Sequence, residues 1–443
     1  MKRLAMNQLL AWKNSSYRKP LILKGVRQVG KTWLLKEFGR QHYKNTAYFN
    51  FDENPEYRDF FRATKDIHRL VPNLTLASGQ DIQPGTTLIV FDEVQECPEV
   101  INSLKYFHEN APEYHVAAAG SLLGIALAQP SSFPVGQVDF LSLYPMNFLE
   151  FLMATGSENL ATYLMQIDTL NPIPTPFFTL LTEKLKMFYI TGGMPEVVRQ
   201  WVETQSVERI QLTLENIIDA YERDFAKHPE PREFPKLSLV WHSLPSQLAR
   251  ENKKFLYNTV KPGARAREYE SALEWLVNAA LVYKVYRIKK PGLPLAAYDD
   301  LGAFKLYLAD VGVLRRLARL DPTIFREGPR LFTEFKGALT ENFVLQSLLP
   351  QLDVTPRYWS QNNPPYEVDF IIQRQNDIIP IEVKSDTNVR GRSIRKYTEL
   401  FRDHTKLRVR FSLCNLHYDD DLLNIPLFLA DRADALIGLA LGT

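Results

Sequence analysis

Cysteine is nearly absent from the 443-residue chain: Cys97 and Cys414 are the two present, far apart and in no Cys-x-x-Cys pair or Cys/His cluster. That scarcity excludes a disulfide framework, argues against a structural zinc site and points to a reducing compartment. Charge of one sign is lacking too. Lys and Arg number 53 against 51 Asp and Glu, a net +2 that leaves any polyanion-binding surface to be local. Long apolar runs are missing as well, since no stretch approaches the roughly 18 residues a membrane helix needs. The start, "MKRLAMNQLLAWKNSSYRKP", has Lys2-Arg3 before apolar residues, but Asn7, Gln8 and Lys13 interrupt it and no small-residue cleavage site follows. A cytoplasmic protein without a membrane segment is the expectation. Internal repeats and low-complexity tracts are also absent. What is present is ordinary globular composition, 45% hydrophobic and 23% charged, with length for about three domains.

The first part alternates apolar runs with helical patterns: "LILKG" at 21–25, "AYFNF" at 47–51, "TLIVFDE" at 87–93, "YHVAAAGS" at 114–121 and "QVDFLSLY" at 137–144. Short runs bounded by turn residues and separated by longer segments predict an α/β, doubly wound parallel sheet. From about residue 147 to 225 the spacing is helical, with "TGGMPEVV" as a turn. The three prolines of "AKHPEPREFPK" mark a boundary at 226–236, and residues 237–290 read as helices followed by a hairpin around a Pro-Gly turn. A further unit begins near 331 and runs helix, three strands, helix, strand.

"GVRQVGKT", Gly25 to Thr32, fits the P-loop pattern GxxxxGK[ST] between a strand and a helix. The backbone of Gly25, Val26, Arg27, Gln28, Val29 and Gly30 would wrap phosphates, Lys31 would reach the β/γ oxygens, and Thr32 would ligate Mg²⁺. The bland alternative is a glycine turn before an exposed lysine. In "LIVFDE" a buried strand ends in Asp92, placed for the Mg²⁺ shell, and Glu93, placed as general base. The next strand ends at Ser121, which would touch the γ-phosphate or the attacking water, or else cap the helix that follows.

Residues 249–290 hold Lys or Arg at ten positions against four glutamates, and a helix followed by a basic hairpin suits contact with a DNA or RNA backbone. Equally, these long side chains could simply solvate that face. In "EVDFIIQRQNDIIPIEVKS" Asp369 precedes Glu382 by 13 residues, and Glu382 and Lys384 share a strand face. The other Glu-x-Lys copies, at Glu251 and Glu334, lie in charged segments that do not read as strands. With Glu341 on the preceding helix, the order resembles the PD-(D/E)xK nuclease fold. Glu341, Asp369 and Glu382 would then hold a divalent metal while Lys384 orients water; the competing reading is a half-buried ion-pair network in a fold kept for binding.

Eight motifs in order, "GVRQVGKT", "FDEVQECPE", "AAAGSLLG", "LYPMNFLEF", "YITGGMPEVV", "FKLYLADVGVL", "EVDFII" and "IPIEVK", resemble the prokaryotic AAA-type P-loop ATPases with an uncharacterised C-terminal domain. The resemblance implies an ATPase core over 1–146, a helical lid over 147–225, a winged-helix-like unit over 226–330 and a PD-(D/E)xK nuclease-like domain over 331–443. It also implies ATP and Mg²⁺ as cofactors and a homo-oligomer in which a neighbouring subunit completes each site. Two functions follow. One couples ATP to nucleic-acid binding or processing; the other is a regulatory or remodelling switch whose nuclease-like domain is inactive and recognises a partner. The family's usual Gly-Arg after the sensor strand is Gly136-Gln137 here; if that Arg serves as an arginine finger or phosphate contact, this chain lacks it at that position, and Arg199 or Arg223 could substitute.

Overall fold

The computed structural model describes residues 1–128, 136–226, 230–250, 253–322, 335–386 and 391–443. Glu251, Glu334, part of the proline-rich stretch at 226–236 and the start of the last unit at 331 lie outside the described residues. The chain divides into two compact units, one of Lys2–Tyr144 with Glu274–Leu281, the other of Pro145–Leu273 with Val282–Thr443.

In the N-terminal unit the five apolar runs are strands: β1 (Leu21–Lys24), β2 (Asn45–Asn50), β3 (Thr87–Asp92), β4 (His115–Ala119) and β5 (Asp139–Ser142). They form an all-parallel sheet in the order β2-β3-β4-β1-β5. β3 and β4 are buried at every position, which is why they read as unbroken apolar runs rather than alternating ones. Phe49, Phe51, Phe61 and Phe91 build an aromatic core against one face, with ring centroids 5.4–5.9 Å apart. The connection from β1 runs to β2 on one side and the connection from β4 runs to β5 on the other, so the carboxyl ends of β1 and β4 flank the switch-point crevice where ligands bind in such folds.

The second unit begins with the expected helices, among them Phe148–Ala154, Thr175–Thr191, Pro195–Thr204 and Val207–Phe225. Its sheet has eight strands: β6 (Val282–Ile288), β7 (Asp299–Leu308), β8 (Arg357–Gln361), β9 (Tyr366–Arg374), β10 (Asp377–Val383), β11 (Arg408–Ser412), β12 (His417–Asp419) and β13 (Leu422–Pro426), ordered β12-β13-β11-β10-β9-β8-β6-β7. The hairpin expected to resemble a wing is β6–β7, and it is part of this sheet because β6 also pairs in parallel with β8. The physical reason is visible in β7, where Ala303 to Leu308 are all buried, a run too apolar for a solvent-facing wing. The helix Lys336–Leu348 is buried from Ala338 onward. Its Asn342 pairs with both the N–H (2.8 Å) and the carbonyl (3.0 Å) of Leu308, satisfying the end of edge strand β7.

Candidate nucleotide site and buried charge cluster

The loop Gly25–Gly30 leaves β1 and enters the helix Lys31–His42. A side chain at Gly25 would put its Cβ 2.2 Å from the Leu143 carbonyl oxygen, and Gln28 and Gly30 have φ of +64° and +95°, so this tight path demands glycine at its ends. Lys31 is buried and donates to the carbonyls of Gly25 (2.8 Å) and Val26 (3.0 Å). Burial, with Arg27 adding repulsion, outweighs the attraction of Glu93 and Asp92 and pushes its ammonium down to about 8. Arg27 is half-buried and Gln28 exposed, while Val26 and Val29 anchor the loop to the core.

Across the crevice Asp92 ends β3. Its Oδ2 accepts from the Thr32 hydroxyl at 2.6 Å and from the Tyr48 hydroxyl at 2.9 Å, and its Oδ1 accepts from the Glu93 backbone N–H at 3.0 Å. Glu93 has φ of +52°, uncommon for a residue with a side chain and often found where function holds the backbone. Its Oε2 accepts from Gln95 Nε2 (2.6 Å), the Ser121 hydroxyl (3.0 Å) and the Ser121 N–H (3.2 Å). Burial alone would raise the Glu93 carboxyl, but these bonds and Lys31 outweigh it and hold the group ionised.

Thr32 thus meets Asp92, Ser121 meets Glu93, and Lys31 lies close enough to both acids to feel their charge. Tyr48 and Gln95 were missed. Tyr48 reaches Asp92 because β2 pairs with β3 in the register Tyr48↔Val90 and Asn50↔Asp92, information no local pattern carries. Gln95 stands two residues after the acidic pair, and a Cβ at Gly120 would lie 2.2 Å from its Oε1, so Gly120 makes room for it. A hydroxyl and a carboxylate in contact at the end of the glycine-bounded loop are hard oxygen donors that fit Mg²⁺.

The residues expected for a metal in the second unit sit differently. Glu341 Oε1 is bonded by the Lys253 ammonium and its Oε2 accepts from the Tyr307 hydroxyl at 3.1 Å. Asp369 Oδ2 accepts from the Val383 N–H at 2.8 Å. Glu382 lies 3.2 Å from the Lys384 ammonium and 3.4 Å from Arg410 Nε. Lys305, with no exposed side-chain surface, holds Glu367 at 2.5 Å. Burial, then the neighbouring Glu341 charge, pushes Asp369 up to about 7. For Glu341 burial also acts upward, yet Lys253 and Lys305 prevail and keep it below its usual range. Among the described residues no three acidic, histidine or cysteine side chains gather to hold a metal ion.

Of the ten basic positions between 249 and 290, Arg250, Lys261, Arg265, Arg267, Lys289 and Lys290 are exposed. Lys253 is spent on Glu341 and Arg287 on Asp300. No helix among the described residues is long and apolar enough to cross a membrane.

Comparison with known proteins gives a family-model match over most of the N-terminal unit. Residues 17–152 match the family model of an AAA domain, residues 182–323 a domain of unknown function (DUF8612) and residues 336–428 a second one (DUF4143). No curated protein matches. Solved structures with some likeness include the Walker-type ATPase PABY2304 of Pyrococcus abyssi, 13% identical with a TM-score of 0.42, covering 71% of this chain and 95% of that one. Another is the ORC1 protein of Aeropyrum pernix in complex with DNA, 13% identical at 0.28 over 72% and 91%. A third is AMPPCP-bound DnaA from Aquifex aeolicus, 12% identical at 0.27 over 62% and 85%. At these scores the likenesses carry no argument; residues 17–152 match an AAA domain model, and the P-loop pattern Gly25 to Thr32 lies within them.

Proposed function

We propose that the N-terminal unit binds ATP with Mg²⁺ and hydrolyses it. The observation that carries this is the Thr32 hydroxyl on Asp92 Oδ2 at 2.6 Å, joining the first turn of the P-loop helix to the end of β3. Lys31 exchanges its two neutral carbonyl acceptors for phosphate oxygens, and charged acceptors make the stronger bonds. Thr32 and Asp92 would hold the metal, which when bound neutralises charge on the phosphates. Glu93, ionised and aimed by Ser121 and Gln95, takes the proton of the attacking water. Lys31→Ala is expected to weaken nucleotide binding. Glu93→Gln should keep binding and lose about 10²–10⁴-fold in turnover, the usual share of a general base. Wild-type turnover in Glu93→Gln, measured as phosphate release, overturns the assignment.

A second reading couples that cycle to nucleic acid. Six exposed basic side chains between Arg250 and Lys290 favour it, because exposed cations are free to replace counterions along a phosphate backbone.

A further inference from the structure

The second unit has the residue order of a metal-dependent nuclease, yet every expected metal ligand already has a protein donor. Glu341 has both oxygens occupied, by Lys253 and by Tyr307. Asp369 is tied by one oxygen to the backbone of Val383. Glu382 is flanked by Lys384 and Arg410. Glu367, one turn of the pleat from Asp369 on β9, is bound to Lys305, a lysine with no solvent exposure, whose Nζ also lies 4.7 Å from the centre of the Tyr358 ring.

Charge decides what this arrangement can do. Glu341, Glu367 and Glu382 are paired with Lys253, Lys305, Lys384 and Arg410, and with Asp369, which has no ion pair in this set, these eight side chains sum to zero when all are ionised. A divalent cation placed there would bring two uncompensated charges into a buried site, a cost of several kcal/mol unless a lysine leaves. In a metal site the same carboxylates would repel one another until the ion arrives; here Lys253 and Lys305 offset part of that repulsion, and Asp369 still feels the charge of Glu341. We propose that Lys253 and Lys305 stand where a divalent cation would act, and that this cluster holds the unit together without metal. The two lysines differ in kind. Lys305 projects from the interior of β7 and is part of the core. Lys253 lies outside helix and strand with 14% of its side chain exposed, so it can be removed without emptying the core.

Calorimetric titration of the nucleotide-free full-length chain with Mn²⁺ tests this. Wild type, Glu341→Gln and Asp369→Asn should give the same isotherm, because any ion bound elsewhere is common to all three. A binding event in wild type that Asp369→Asn abolishes overturns the proposal. Thermal unfolding adds a second reading on the same molecule. Lys253→Ala should unfold about 5 °C or more below wild type, since an unpaired buried carboxylate is left behind, and Mn²⁺ should restore part of that loss. A variant as stable as wild type, or a loss that Mn²⁺ leaves untouched, would show that the ammonium does not stand in for a cation.

Discussion

His115 illustrates how much a single side chain takes from its surroundings. It begins β4, and its Nδ1 lies 2.7 Å from the Tyr43 hydroxyl while its ring meets Trp12 edge-on at 6.1 Å. Burial first, then the positive charges of Arg18 and Lys13, pushes its imidazole down to about 4. The folded unit therefore refuses a proton that the unfolded chain accepts below about pH 6.5. Stability should fall as the pH drops from about 6.5 toward 4, and be pH-independent on this account above that range. His115→Gln should flatten the dependence, and equal slopes for both proteins in urea unfolding at pH 7 and 5 would rule out this origin. Nothing in the run "YHVAAAGS" marks its histidine as unusual; the shift arises from burial and from charges up to 102 positions away.

Between single residues and the whole lies the turn "ITGGMPE". It joins the helices Thr175–Thr191 and Pro195–Thr204, with Pro195 pre-set for the first helical position. Asp310, buried at the end of β7, fixes it by accepting from the Gly193 N–H at 2.6 Å. The same carboxylate caps the helix Val311–Leu317 through Gly312 (2.9 Å) and Val313 (3.0 Å) and takes a bond from Gln346 at 3.2 Å. A Cβ would lie 2.1 Å from Asp310 Oδ1 at Gly192, where φ is +67°, and 2.0 Å from the Met146 carbonyl oxygen at Gly193. The two motifs "YITGGMPEVV" and "FKLYLADVGVL", distant in sequence, are halves of one joint. Asp310→Ala should destabilise by about 2–4 kcal/mol, from a lost cap and an unsatisfied buried N–H. A change below about 0.5 kcal/mol in chemical denaturation, the level of an unremarkable surface substitution, would show the joint to be inessential.

At the scale of the molecule, local charge carries what net charge conceals. The net +2 predicts no affinity for polyanions, whereas the exposed Arg265 and Arg267 open the helix beginning at Ala266 with no burial to restrain them. Reversing both to Glu should weaken binding alike for every DNA or RNA sequence and reduce the salt slope by about 2, one per lost phosphate contact. A filter-binding series with an unchanged slope would return these residues to solvation. The hairpin that seemed to be a wing supplies two of the eight strands of that sheet, with β7 at its edge.

Local pattern was enough to nominate the N-terminal candidate site. A P-loop closes on itself within eight residues, and a strand buried on both faces announces its own end, so Gly25 to Thr32, Asp92 and Glu93 were legible without any partner. Which donors hold Asp92 and Glu93 was decided by strand register and by Gly120 making way for Gln95. In the second unit the order Glu341, Asp369, Glu382, Lys384 could be read directly, but its chemistry could not. Lys253 and Lys305 are 88 and 36 residues before Glu341, and neither stands in any motif with it. Coulomb interaction depends on distance in space, and only the packing of the sheet against the helix Lys336–Leu348 brings those charges into range.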